Sequence, residues 1–561
     1  MAVVPARAPG AAGWTARLVP GLVALALAFP CPLAADTYPR QPGIDVEHYR
    51  FEVTLSDTSD AIQGQTTVEV RFLRGDVRTV ELDLVATAGR LDGKGMTVTS
   101  VTSDAPGVTY VHAGDRLRIA LDGAPEAGTR RTFTVRYGGV AATGLLVAPT
   151  RHGDRSFFSD NWPNKARHWL PTIDHPYDKA TGEMVVTAPA HYQVVSNGLL
   201  VEETDVGGGM RRSHWQQSVP IATWLYTLGV ARFAVQHLGA FDGRPIQTWV
   251  YPQDRDAGFF DFAVPTRQVL EFYDDRIGPF AYEKLANVQS NSVRGGMESA
   301  TAIFYGDDSV TGTRSERWRQ VVIHEIAHQW WGNAVTETDW DHVWLSEGFA
   351  TYFTLLFIEH ADGRDAFVRG LRDSRDRVRA FHAKQPDYRV VHDNLSDMDQ
   401  VTTSQIYQKG AWVLHMLRGT VGDEAFWRGV RDYYQRYRDG NASTDDFRRA
   451  MEEASGQELG WFFRQWLYRG GLPVVEGTWR YDAAGRTLEL DIRQVQDGGD
   501  PFVLPMEVAT ETADGGVRVQ RIRLSERSGR VLIPLDRAPT SVTLDPAVWV
   551  LMETSLRRAE P

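Results

Sequence analysis

The spacing of apolar residues along this 561-residue chain changes twice, and no other feature limits its possible folds as much. From about 45 to 240 the pattern is mostly period two, with turn residues between runs. Tyr49–Leu55, Thr67–Phe72 and Leu117–Leu121 alternate in the manner of half-buried strands. The Gly207-Gly208-Gly209 run between strand-like segments reads as a loop, because no helix follows it as a phosphate-binding loop requires. From about 264 to 470, apolar residues recur at three- and four-residue spacing. The spacing predicts helices over Thr266–Ile277, Ser315–Trp331, Leu345–His360, Ser404–Arg418, Asp423–Arg438 and Thr444–Ala454. Ser315 and Ser443 stand where N-caps belong. From Pro473 onward alternation returns, in Thr487–Ile492 and Val517–Leu524. The expectation is a multidomain α+β chain: an antiparallel β domain over 36–238, a mostly helical domain over 239–472 and a β-sandwich over 473–561.

Composition narrows the chemistry. With 60 Lys+Arg against 72 Asp+Glu the formal charge is −12. An acidic chain without basic runs lacks the clustered cations that phosphate contacts need, so no nucleic-acid partner is expected. A single cysteine excludes a disulfide framework, a Cys-ligated zinc site and an iron–sulfur cluster. Any metal must therefore be held by histidines and carboxylates. That cysteine, Cys31, lies in residues 1–35, which carry Arg7 and Arg17, no acid, an apolar centre Gly21–Phe29 and the small residues Ala34 and Ala35 before Asp36. The segment reads as a signal peptide, cleaved before Asp36. The alternative is an uncleaved membrane anchor, against which Pro20, Pro30 and Pro32 argue. The expectation is an exported protein, periplasmic or secreted, with no stable membrane insertion after cleavage.

The chemistry concentrates in Val322-Ile-His324-Glu325-Ile-Ala-His328-Gln-Trp330. Residues four apart on a helix return to nearly the same face, so His324 and His328 can reach one Zn²⁺. Glu325 is placed to take a proton from water at the open coordination position. The apolar neighbours Val322, Ile323, Ile326 and Trp330 imply a largely buried helix, where ionisable groups need a partner. A catalytic site of this type needs a third ligand. Glu347, in Trp344-Leu-Ser-Glu347-Gly-Phe-Ala350 at the start of the next helix, is the candidate, with 18 residues between it and His328.

These two motifs together, His324-Glu-x-x-His328-Gln-Trp-x-Gly-Asn333 and Trp344-Leu-x-Glu347-Gly-Phe-Ala350, resemble the gluzincin metallopeptidases, specifically the M1 aminopeptidase family. Ala166-Arg167 through Lys179-Ala180 and Phe462-Phe-x-Gln-Trp466 resemble further family signatures. The resemblance implies a saddle-shaped N-terminal β domain, a thermolysin-like catalytic domain, an immunoglobulin-like C-terminal sandwich and one Zn²⁺ per chain. It implies peptide substrates with a free N-terminus. Gly295-Gly296-Met297-Glu298 stands where the family binds substrate, and Glu298 would pair with the substrate amine. Tyr407, in Tyr407-Gln-Lys-Gly410-Ala411, would donate its hydroxyl proton to the oxyanion.

The chain also departs from the family. Ser299 and Ser346 replace family asparagines, and Thr172 replaces a cysteine. Pro163 stands where a second amine anchor is expected, with Asn161 two residues earlier. Only about 90 residues follow Pro473, and they read as β, so the family's large C-terminal helical domain is expected to be missing and the cleft more open. A zinc endopeptidase, or a peptidase of mixed specificity, would use the same machinery. A non-catalytic peptide-binding module on the same scaffold is the alternative of another class. Epoxide hydrolysis, known in one branch of the family, has no specific support in these residues.

Overall fold

The computed structural model describes residues 36–391, 398 and 401–559. The expected signal peptide, with Cys31, lies outside the described residues. Among the described residues no helix is long and apolar enough to cross a membrane.

The N-terminal region is built on a seven-stranded sheet, ordered Leu199–Gly207, Met210–Ala222, Lys179–Pro189, Ile44–Ser56, Ser59–Phe72, Arg130–Val140 and Gly95–Ser103. Alternation sets the buried face. Tyr49, Phe51, Val53 and Leu55 point inward, and a bulge between Val46 and His48 absorbs the odd residue that lets Val46 point inward as well. The sheet is not wholly antiparallel, as alternation alone led one to expect. Ile44–Ser56 pairs in parallel with Lys179–Pro189, which joins it only after the chain has run through three more strands of the same sheet and through strands of the smaller sheets.

A five-stranded mixed sheet follows, ordered Ala234–Phe241, Arg244–Val250, Leu285–Ser290, Ala302–Gly306 and Gly296–Met297. The boundary expected between 238 and 239 falls inside its first strand, which forms a hairpin with Arg244–Val250. Leu285–Ser290 and Ala302–Gly306 are buried at every residue. Strands covered on both faces do not alternate, which is why period-two spacing does not mark them.

Among the described residues, eight α-helices complete this region: α1 (Arg255–Arg276), α2 (Glu316–Ala327), α3 (Trp344–Asp362), α4 (Arg364–His382), α5 (Gly410–Val421), α6 (Asp423–Tyr437), α7 (Thr444–Ser455) and α8 (Gly460–Trp466). Helix α1 starts 11 residues before the expected Thr266 and carries Pro265 in its interior. Helix α7 has the expected cap: Ser443 and Asp446 form a reciprocal capping box. Ser315 makes no such bond at α2. Helix α4 is not among the expected helices. Its many charges hide a single buried row, Phe367, Leu371, Ser374 and Val378, apolar but for the serine, at spacings of four, three and four.

From Val474 the chain forms a four-stranded sheet (Ser528–Pro534, Thr487–Gln494, Val474–Asp482, Glu553–Arg558) and a three-stranded sheet (Val517–Leu524, Leu504–Thr512, Pro539–Leu544). The last strand pairs in parallel with the first. The imidazole of His415 on α5 stacks on Trp549 at 4.7 Å and bonds to the carbonyl of Val548, tying these strands to the helices.

Candidate active site and metal centre

Helix α2 buries Trp318, Val322, Ile323, Ile326 and Ala327, and this fixes its rotation so that His324 and Glu325 meet the cleft. His328 caps the helix but keeps helical torsions (φ −59°, ψ −26°), so the four-residue register with His324 survives. The chain returns through the strand Val335–Glu337 and a short turn at Trp340–His342 into α3. Helix α3 is buried on nearly all sides, which presents Glu347, in its first turn, to the two histidines.

The donor atoms converge. Nε2 of His324 and Nε2 of His328 are 3.1 Å apart, and each lies 3.3 and 3.2 Å, respectively, from Oε2 of Glu347. A tetrahedral ion with bonds of about 2.0–2.1 Å needs donors about 3.3–3.4 Å apart. The three residues therefore form a metal-binding group whose size and nitrogen–oxygen donor set suit zinc. His328 is oriented for this role: its Nδ1 lies 3.0 Å from the carbonyl oxygen of Trp331 and 3.1 Å from Oγ of Ser346. A proton held at Nδ1 leaves the Nε2 lone pair facing the ion. Ser346 thus serves the ligand from a position where the family has asparagine.

Electrostatics support the same conclusion. Glu298, Glu325 and Glu347 are all buried around one space. Burial opposes charge on Glu347, but His328 and His324 outweigh it and hold the carboxyl at about 2. Burial, reinforced by Glu298, pushes Glu325 well above the usual carboxylate range. Burial also raises Glu298, to about 7, against the pull of His328. Burial works against a proton on His328, and the surrounding carboxylates prevail, raising it to about 10. Such an excess of buried acid is satisfied by a cation.

Close backbone approaches set the remaining groups. A Cβ on Gly348 of α3 would stand 2.9 Å from Cα of Gly410, the first residue of α5. Only two glycines let these helices meet so closely. Their contact brings the Gln405–Lys409 turn over the ligands, where the Tyr407 hydroxyl donates to Oε1 of Glu347 at 2.6 Å. Gly296 serves Glu325: a Cβ there would lie 2.3 Å from the glutamate's carboxyl carbon. Gly295 and Gly296 line the cleft with Glu298, while the Met297 side chain turns away into the core and does not join its wall. Ligand atoms of Glu298, Glu325 and His328 lie within 4.8 Å of one another.

The cleft encloses about 1080 Å³ and reaches past the ligands along α3 and α4, by Thr351, Thr354, Arg369 and Arg377. That exceeds most small-molecule pockets and suits an extended chain. Asn161 is not free to serve as the second amine anchor the family resemblance led one to look for, since its side chain is buried and bonded to the Tyr226 carbonyl and the Trp169 indole. Asp160, one residue earlier, acts electrostatically on Glu298. No sequence spacing marks Asp160, which follows the strand Arg155–Ser159 and comes near Glu298 only through tertiary packing.

The family model "Peptidase M1 N-terminal domain" matches residues 45–225, and the model "Peptidase family M1 domain" matches residues 263–466. The chain belongs to the M1 peptidase family. It is 28% identical over 450 residues to the Probable aminopeptidase 1 of Saccharolobus solfataricus, covering 76% of this chain and 54% of that one. It is 26% identical over 362 residues to the glutamyl aminopeptidase of Mus musculus, covering 62% and 38%. The chain thus spans about half or less of the length of these relatives. A mutant M1 zinc metallopeptidase from Deinococcus radiodurans has a similar fold, with a TM-score of 0.64 and 25% identity, covering 76% of this chain and 95% of that one.

Proposed function

We propose that this M1 peptidase is a zinc-dependent aminopeptidase that removes N-terminal residues from peptides. The observation that carries the reading is the position of Glu298: a buried carboxylate facing the metal-binding group across the cleft, within reach of Glu325 and His328. A substrate ammonium paired with Glu298 places one residue between the amine and the metal-binding group. Asp160 adds negative potential on the same side. The names of the relatives, aminopeptidases both, agree.

His324, His328 and Glu347 would hold zinc, which when bound would supply Lewis-acid chemistry for a carbonyl and for water. Glu325 accepts the proton of the attacking water at its carboxylate and passes it to the leaving amine. The Tyr407 hydroxyl, resting on Glu347 Oε1, turns to donate to the oxyanion as charge develops there. Glu298 orients the substrate by its ammonium, and Gly296 leaves the space that the Glu325 carboxyl occupies.

The finer architecture follows the same reading: a saddle-shaped N-terminal domain, a thermolysin-like catalytic domain and an immunoglobulin-like C-terminal sandwich. The charge and apolar pattern of residues 1–35 supports export to the periplasm or medium. The test is an assay of purified protein on aminoacyl-arylamides and their N-acetylated analogues, with and without chelator. Chelator-sensitive release from the free-amine set alone is expected. Equal cleavage of blocked peptides would transfer the site to an endopeptidase. No release from any substrate would favour a binding module.

A further inference from the structure

Glu298 presents a problem of positioning. Its Oε1 is buried and has no hydrogen-bond partner, so the carboxyl group is not clamped through that atom. It sits just beyond a two-residue edge strand, Gly296–Met297, which offers little rigidity. The backbone is held instead. The carbonyl oxygen of Glu298 accepts two side-chain amides, from Asn333 Nδ2 at 2.7 Å and from Gln329 Nε2 at 3.0 Å. Both donors are fully buried. Both also follow a metal ligand closely in sequence, one and five residues after His328.

Gln329 grips the segment twice. Its Oε1 accepts the backbone N–H of Thr301 at 3.1 Å, so one side chain spans Glu298 to Thr301. Thr301 is a β-branched residue at φ +67°, a left-handed conformation that costs free energy unless its surroundings impose it. The surroundings do so: the Thr301 hydroxyl oxygen accepts from Gly198 N at 2.7 Å, and Asn197 Nδ2 bonds the carbonyl of Ala300 at 2.7 Å. Asn333 is braced as well, since Lys179 Nζ bonds its carbonyl oxygen at 3.0 Å.

We propose that Gln329 and Asn333 are positioning residues that fix Glu298 at its distance from the metal-binding group, and so set the one-residue register of the enzyme. The inference rests on the aminopeptidase reading. The two amides couple the end of α2, which carries His328, to the backbone of the residue that receives the substrate amine. Without them the metal-binding group keeps its own mutual contacts, while Glu298 loses its reference point.

The test uses the full chain with Gln329→Met and Asn333→Leu, which keep side-chain length and remove the donors. Zinc content, steady-state kinetics on aminoacyl-arylamides and inhibition by acetohydroxamate, a metal-binding probe with no α-amine, are measured together. The expected result is KM for free-amine substrates raised about tenfold per variant, with kcat changed less, and with zinc content and acetohydroxamate inhibition unaltered. Unchanged KM, or an equal weakening of acetohydroxamate, overturns the proposal. Gln329→Ala and Asn333→Ala remove the same donors without placing a larger apolar group in the buried site. Either should raise KM in the same way, and if the first two variants fail to fold, an unchanged KM in a folded alanine variant overturns the proposal. Absence of free-amine cleavage in the unaltered protein would instead overturn the aminopeptidase reading.

Discussion

The metal-binding group and the glutamate opposite it share one cleft but are held by different means. His324, His328 and Glu347 sit on α2 and α3, two helices packed through buried side chains, and their donor atoms lie 3.1–3.3 Å from one another. Glu298 sits beside a two-residue strand at a sheet edge and is fixed through its backbone carbonyl. One half is rigid because of helical spacing and core packing. The other is rigid only by virtue of residues distant in sequence. Mutations should therefore separate the two halves: those on the metal side act on turnover, those on the amine side on recognition.

The largest effect is expected from Glu325→Gln. Zinc content should stay at one per chain while kcat falls about 10²–10⁴-fold, since general base catalysis is worth that much. Metal analysis beside steady-state kinetics checks both halves of the statement. Next comes Tyr407→Phe, which removes the hydroxyl now bonded to Glu347. Loss of an oxyanion donor predicts a kcat lower by about 10²–10³-fold with KM little changed. Gly296→Ala probes the seam between the halves. Its Cβ would collide with the Glu325 carboxyl, and a displaced base predicts a roughly tenfold to hundredfold loss in kcat with metal retained.

An effect on stability rather than on turnover lies away from the cleft. Burial holds the His415 imidazole down at about 3, against the Val548 carbonyl that favours its proton. The unfolded value is about 6.5, so between these limits the unfolded chain binds a proton that the folded chain excludes. Stability should be fully present above pH 6.5 and fall by about 1.4 kcal/mol per pH unit below it, until about pH 3. Denaturation curves across that range test this, and His415→Phe should flatten the slope.

The difference between the two halves also explains what could be read from the sequence. His324, His328 and Glu347 were visible because a helix repeats every 3.6 residues and carries that spacing into the sequence. Glu298 and Tyr407 came only through family resemblance, since nothing local ties a Gly-Gly turn or a helix start to a distant metal. Asp160, Gln329 and Asn333 have roles that exist only where separate segments meet. Helix α4 was hidden because a single apolar row among arginines and aspartates resembles a solvated segment, although that helix forms one wall of the cleft. The central strands were hidden for the opposite reason: burial on both faces erases alternation.

The most direct test of the central claim is the ratio of kcat/KM for a free-amine arylamide to that for its N-acetylated analogue, in the unaltered protein and in Glu298→Gln. A high ratio in the first and a collapse towards unity in the second, with zinc content equal, is the predicted result. A ratio near unity in the unaltered protein, or a high ratio that survives the substitution, would contradict the assignment of Glu298 as the residue that reads the substrate amine.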